Sequence, residues 1–285
     1  MKRRGNEKLS EMSGVNKTMY IPLYGKALVS TKGLFLADKK AEEIWASEGF
    51  SLKGKAKSKW LAYYMGIRSA VFDEWILKKS ENTVNSVVIH IGCGMDARVL
   101  RVGTTRAKLW YDIDFPEVIE ERKKYFTESA EYRMIAHDAR DTYWLDGIEV
   151  GESAVVVMEG VSMYMSDSEI KSVLSAIRKR FGSVYVLMDC YSAFAAKMSK
   201  YKNPVKTVGV SEVHGIDDPT TLEVNGLTFK AQLDMTPKKY IDELKGAERF
   251  IFEKLYSGKF ARKLYKLYEY ASSENQKVLR IASTQ

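Results

Sequence analysis

The sequence predicts an α/β fold: a doubly wound, mostly parallel sheet with an antiparallel carboxyl-terminal edge pair, preceded by an amino-terminal helical cap. Three observations carry this expectation. Residues up to about Ser80 follow a helical period, whereas from Asn85 onward short β-branched runs alternate with amphipathic segments. The runs Val87-Val88-Ile89 and Val155-Val156-Val157 are apolar on both faces, as strands of a parallel sheet covered by helices on each side must be. The first run empties into a glycine-containing loop followed by a helix, the opening of a doubly wound unit.

In chain order, residues 1–80 form the cap and 81–285 the core, both parts of one globular unit. In the cap, Trp60–Lys79 places Leu61, Tyr64, Met65, Phe72, Trp75 and Ile76 on a buried helical stripe, and Arg68 falls on that stripe. Strands are expected at Ser86–Ile91, Leu109–Asp114, Tyr132–Ala136, Ala154–Glu159 and Val184–Cys190. Helices follow at Ala97–Val102, Pro116–Phe126 and Asp167–Phe181. Pro116 needs no amide partner in a first turn, and Ser166 or Asp167 can cap the later helix. Beyond Pro219 the pattern gives a strand at Leu227–Gln232, a long helical stretch from Pro237 to about Tyr270, and a last strand at Val278–Ala282. No repeat or low-complexity tract interrupts this order.

Composition narrows the class. A chain of 285 residues with 45% hydrophobic content can bury a full core, which excludes global disorder. The net charge of +8 is dispersed, apart from Met1-Lys2-Arg3-Arg4, read as a frayed end, and Lys254, Lys259, Arg262, Lys263 and Lys266, read as the solvated face of a helix. No nucleic-acid partner is expected. Cys93 and Cys190 sit in or beside apolar runs, as reduced thiols of a cytoplasmic protein do. With no apolar run of about 18 residues, no membrane span is expected.

The chemistry begins at Gly92-Cys93-Gly94-Met95-Asp96-Ala97. Glycine there lets the backbone turn sharply and approach a ligand. The spacing satisfies both the dinucleotide fingerprint GxGxxA and the shorter GxG of methyltransferases, and each wants an acid about 20 positions later for ribose hydroxyls. Asp114 supplies it. Asp138 and Glu159 also follow strands, and ligands of open α/β sheets bind at those ends. Arg68, on a core-facing surface, must meet an anion: either an acid of the core or the carboxylate of a cofactor's methionine portion.

The blocks Ile89-His90-Ile91-Gly92-Cys93-Gly94-Met95-Asp96-Ala97-Arg98, Tyr111-Asp112-Ile113-Asp114-Phe115-Pro116-Glu117-Val118-Ile119 and Met158-Glu159-Gly160-Val161-Ser162-Met163-Tyr164-Met165 resemble the leucine carboxyl methyltransferase family, in particular its bacterial branch of tetracenomycin-type polyketide O-methyltransferases. The resemblance spans nearly the whole chain. It implies the class I methyltransferase (Rossmann-like) form of the doubly wound fold and S-adenosyl-L-methionine as cofactor. By position it implies that Gly92 and Gly94 line the methionine portion, Asp114 binds the ribose, Asp138 and Ala139 face the adenine, and Glu159 closes the pocket near the sulfonium. Arg68 and Lys26 match the family's arginine and amino-terminal lysine, which favours the cofactor-carboxylate reading of Arg68. Ala97 departs from the family's GxGxDTR pattern, while Asp96 and Arg98 keep it.

Methyl transfer from a sulfonium is an in-line displacement, in which the protein aligns the acceptor and excludes water, with no metal required. A carboxylate acceptor, with a pKa of about 4, needs no general base, whereas a phenol at about 10 profits from one. Tyr164 and His214 are the candidate acceptor-side residues. His90 reads as core, and Cys93 lacks an acid-base partner for nucleophilic work. Tyr20, Tyr24, Tyr191 and Phe194 suggest a partly aromatic acceptor cavity, shaped by the cap and the segment Tyr191–Pro219. The expected acceptor is a carboxylate or hydroxyl of a small, polyketide-like molecule. A protein carboxyl terminus, an NAD-dependent oxidoreductase and a non-catalytic binding protein stand as the alternatives.

Overall fold

A computed structural model describes residues 18–48, 52, 54–81, 83, 85–104, 109–202 and 213–272. Side chains alternate along each strand and so sort onto two sheet faces, and each face has its own core. Val88, Trp110, Val155, Val157 and Leu187 point to one side, where they join Tyr20, Leu23, Ile67 and Phe72 of the cap. Val87, Ile89, Ile91, Val156 and Val186 point to the other, where Ile170, Val173, Leu174 and Ile177 cover them.

The cap consists of α1 (Tyr20–Thr31), α2 (Lys39–Glu48) and α3 (Lys59–Glu81). The core continues with β1 (Ser86–Ile91), α4 (Arg98–Val102), β2 (Leu109–Asp114), α5 (Pro116–Arg122), β3 (Tyr132–Ala136), β4 (Ser153–Met158), α6 (Asp167–Arg180), β5 (Ser183–Tyr191) and α7 (Ala193–Lys202). It ends with β6 (Leu227–Leu233), the short helices α8 (Lys238–Ile241), α9 (Gly246–Tyr256) and α10 (Lys259–Leu264), and β7 (Tyr265–Ser272). Ser166 caps α6 in a full capping box with Glu169, and Pro116 opens α5.

Among the described residues, seven strands form one sheet in the order β3-β2-β1-β4-β5-β7-β6. The five from β3 to β5 pair in parallel, and β7 pairs antiparallel with both β5 and β6. Chain order reverses between β1 and β4, so the crevice at their carboxyl ends is the place where such a sheet takes a ligand.

Two expectations change. The helical stretch from Pro237 to about Tyr270 is instead broken helices followed by a strand: Gly258 interrupts it, and Tyr265–Ser272 lies against β5 from Tyr185 to Tyr191. Its alternating aromatics, Tyr268 and Tyr270 against Leu267 and Ala271, are buried on both faces, and that burial outweighs helical period. The antiparallel edge pair is therefore β6 with β7. Val278–Ala282 and Met1-Lys2-Arg3-Arg4 lie outside the described residues. The middle of α3 is also buried more fully than a single stripe: Tyr63, Ile67, Arg68, Ser69 and Ala70 are all buried, while Leu61, Tyr64 and Met65 are half-buried.

Candidate active site

The chain leaves β1 through Gly92, whose N–H donates to the Ile113 carbonyl at 2.7 Å. At φ 68° Gly92 holds the left-handed backbone that glycine favours, and a Cβ there would meet Cγ2 of Val161 at 2.0 Å. Across the turn, Gly94 donates its N–H to Oδ2 of Asp114 at 2.7 Å, and Phe115 donates to Oδ1 at 2.8 Å. Asp114 thus fastens the loop to the end of β2 while keeping lone pairs free. Burial pushes its carboxyl up to about 6, against the lowering pull of those two N–H groups.

At the end of β4, Glu159 is 8% exposed and accepts from Nε of Arg68 and Oγ of Ser69, each at 2.9 Å. Its other oxygen accepts from Nη2 of Arg98. Burial alone would raise this carboxyl, but Arg98 and Arg68 outweigh it and bring it down to about 2. Arg68 also donates through Nη1 to Asp189 at 3.0 Å and to the Tyr265 hydroxyl at 2.9 Å. Its Nη2 has no hydrogen-bond partner among the described residues and lies 3.5 Å from where a Cβ of Gly160 would stand.

The network runs on beneath the glycine loop. Arg98 reaches Asp73 at 2.7 Å; Arg101 reaches Asp73 at 2.7 Å, Asp96 at 2.8 Å and Asp38 at 2.5 Å; Lys26 lies 2.9 Å from Asp96. Lys26, Arg68, Arg98 and Arg101 therefore face Asp38, Asp73, Asp96, Glu159 and Asp189, one carboxylate in excess. Asp112 forms a second buried hub, accepting from Trp110 at 2.9 Å, Tyr132 at 2.7 Å and Arg122. His90 bridges the two, its ring nitrogens 3.1 Å from Asp112 and 3.0 Å from Arg98. Burial, opposed by Asp112, holds the imidazole below its ordinary range.

Lys26, Arg68, Gly92, Gly94, Asp114, Asp138, Ala139, Glu159 and Tyr164 all line one cleft of about 1110 Å³, counting the part open to solvent. Asp138 stands at its rim, gripped by Arg140 at 2.5 Å, with side chains 34% and 44% exposed. His214 is not among the cleft-lining residues: its N–H donates to the Met163 carbonyl at 2.8 Å. The next residue, Gly215, passes so close to Ser192 that a Cβ would meet its carbonyl oxygen at 2.4 Å. The suggested aromatic residues do not line the cleft either. Tyr20 is core, Tyr24 packs on Trp45 at 5.0 Å, Phe194 is exposed and Tyr191 packs on Tyr265 at 4.9 Å. Cys93 and Cys190 are free and buried, and burial raises both thiols. Residues 203–212 of the segment Tyr191–Pro219 lie outside the described residues.

Sequence reasoning missed Asp73, Arg101 and Asp189, and it noted Asp96 only as part of the loop, not as the partner of Lys26 and Arg101. Asp189 carried a signal, since it nears the end of β5 as Asp114 ends β2. No spacing announced Asp73, which meets Arg98 only through tertiary packing.

The cleft suits S-adenosyl-L-methionine. That molecule carries two cations and a carboxylate, and the floor offers one excess carboxylate and an Arg68 Nη2 that is unpartnered among the described residues. Among the described residues no cluster could hold a metal, and no helix is long and apolar enough to cross a membrane. Comparisons with known proteins agree with this geometry. A tetracenomycin polyketide synthesis O-methyltransferase from Streptomyces glaucescens is 26% identical over 84% of this chain and 90% of its own length. An S-adenosyl-L-methionine-dependent methyltransferase from Gibberella zeae is 25% identical over 78% of this chain and 83% of its own. The crystal structure of a Thermobifida fusca YX protein assigned as a methyltransferase shares the fold, with TM-score 0.55 and 13% identity over 87% of this chain and 94% of that one. The leucine carboxyl methyltransferase profile matches residues 16–178, more than half of the chain, and the protein belongs to that family.

Proposed function

We propose that this S-adenosyl-L-methionine-dependent methyltransferase is an O-methyltransferase that acts on a carboxylate or hydroxyl of a small molecule. The observation that carries the reading is the cleft itself, with Asp114 along one side and, along the other, a buried arginine whose Nη2 is unpartnered among the described residues. When bound, the cofactor supplies an electrophilic methyl whose bond electrons leave with sulfur. Arg68 Nη2 and Lys26 bind its carboxylate, Asp114 accepts from its ribose hydroxyls, and Asp138 with Ala139 borders its adenine. Glu159, held ionised by Arg98 and Arg68, fixes Arg68 and sets a negative floor. The chain then aligns the acceptor oxygen and keeps out water. A carboxylate acceptor releases no proton, so it costs nothing that the cleft-lining imidazoles among the described residues, His90 and His137, are engaged by other groups. The name of one relative, the tetracenomycin polyketide synthesis O-methyltransferase, supports oxygen as the acceptor atom.

Incubating cell extract with methyl-labelled S-adenosyl-L-methionine tests this. A labelled small molecule that is a methyl ester, releasing methanol in mild base, or an ether is expected. A labelled protein, or a product methylated on nitrogen or carbon, would sink the reading. Calorimetry supplies a second check: S-adenosylhomocysteine should bind, and NAD should not.

A further inference from the structure

Ile113 and Asp114 of β2 hold the glycine loop through its N–H groups. Its carbonyl side is held from behind. Arg122, the last residue of α5, is 0% exposed and donates through Nη1 to the Gly94 carbonyl at 3.0 Å. The rest of its guanidinium is engaged: Nη2 meets Asp112, Nε donates to the Tyr132 hydroxyl at 3.0 Å, and the centre of the Phe126 ring lies 3.9 Å from the guanidinium carbon. Tyr132 in turn donates to Asp112 at 2.7 Å. A planar fork can grip a carboxylate and a carbonyl at once, so the sheet, through Asp112 on β2 and Tyr132 on β3, fixes where Arg122 holds Gly94.

Gly94 sits at φ 50°, and without a Cβ the peptide that follows it can turn over at little steric cost. Arg122 settles which way it lies. The Gly94–Met95 bond is trans, so its carbonyl and its N–H point in opposite directions. The carbonyl faces Arg122, which does not line the cleft; the Met95 N–H therefore turns away from Arg122, on a residue that does line it. That N–H donates to no group among the described residues. We infer that Arg122 is a positioning residue for cofactor binding: its grip on the Gly94 carbonyl presents the Met95 N–H to an oxygen of S-adenosyl-L-methionine as a further backbone donor.

Two substitutions separate this role from plain support of the fold. Arg122→Lys keeps a cation for Asp112 but has no fork with which to hold the Gly94 carbonyl as well. It should weaken S-adenosylhomocysteine binding about five- to tenfold by calorimetry. Tyr132→Phe takes a hydroxyl from the same hub and leaves Arg122 on Gly94, so it should lower the melting temperature while keeping affinity within about twofold of wild type. Wild-type affinity in Arg122→Lys overturns the proposal, as does an equal loss of affinity in both variants. A measurement on the wild type alone covers the case in which Arg122→Lys does not fold. By NMR, S-adenosylhomocysteine should slow hydrogen exchange of the Met95 amide at least about tenfold. Unchanged exchange with the ligand bound overturns the proposal. The inference concerns the cofactor alone and stands whichever acceptor the cleft takes, so failure of the wild type to bind S-adenosylhomocysteine would overturn the cofactor assignment together with it.

Discussion

Two cleft-lining carboxylates, Glu159 and Asp138, are each paired with an arginine, Arg98 behind the floor and Arg140 at the rim, and the pairs differ in how much water they see. On the floor, Arg98 and Glu159 have side chains 0% and 4% exposed; on the rim, Arg140 and Asp138 are 44% and 34% exposed. A buried ion whose partner is removed is left with an uncompensated desolvation cost, whereas an exposed pair is screened and worth little. The floor is thus a fixed electrostatic frame, and the rim is an adjustable edge.

The largest expected effect tests the floor. Arg98→Met takes the cation from Oε2 of Glu159, leaving that carboxylate to Arg68 and Ser69, and loosens Asp73 and Asp96; it should destabilise the protein by ~3–5 kcal/mol in urea unfolding. Stability within about 1 kcal/mol of wild type would erase the distinction between floor and rim. Arg68→Ala should weaken S-adenosylhomocysteine binding roughly a hundredfold by calorimetry, as expected for losing a charge-assisted donor, with Arg68→Lys partly restoring it.

Asp114 lies between the two regimes, and its sign is testable. Its folded pKa, near 6, lies above the ordinary value of 3.8, so the ionised form opposes folding. Its contribution to the stability of the unliganded protein is present below pH 3.8 and lost as pH rises through about 6. Ribose binding wants the opposite state, so affinity for S-adenosylhomocysteine should hold above pH 7 and fall as pH drops below about 6. Asp114→Asn should flatten that profile and stabilise the free protein at neutral pH; an unchanged profile would assign the titration elsewhere. The smallest effect belongs to the rim. Arg140→Ala should shift affinity by no more than about threefold, and less at high salt.

Legibility followed the same division. Gly92, Gly94 and Asp114 could be read because a strand, a turn and a second strand are consecutive, and local backbone geometry sets their spacing. The floor was only half legible. An arginine on an apolar stripe announces that some anion must meet it, yet both readings of Arg68 stood open. The structure joins Arg68 to Glu159 and Asp189 and leaves Nη2, unpartnered among the described residues, toward the cleft-lining Gly160. Asp73 with Arg98, 25 positions apart, gave no pattern because that contact depends on how α3 lies across the sheet.

By itself, then, the sequence determined the class of sheet, the placement of β1 to β6 and the glycine loop that borders the cleft, because side-chain period and turn chemistry are local. Tertiary structure alone decided that Tyr265–Ser272 is a strand, since only a vacant edge on β5 makes its two buried faces worth more than a helix. It alone kept His214 off the cleft and turned scattered acids and arginines into one network. Desolvation is a property of the folded environment, and no single residue's neighbours in the chain can report it.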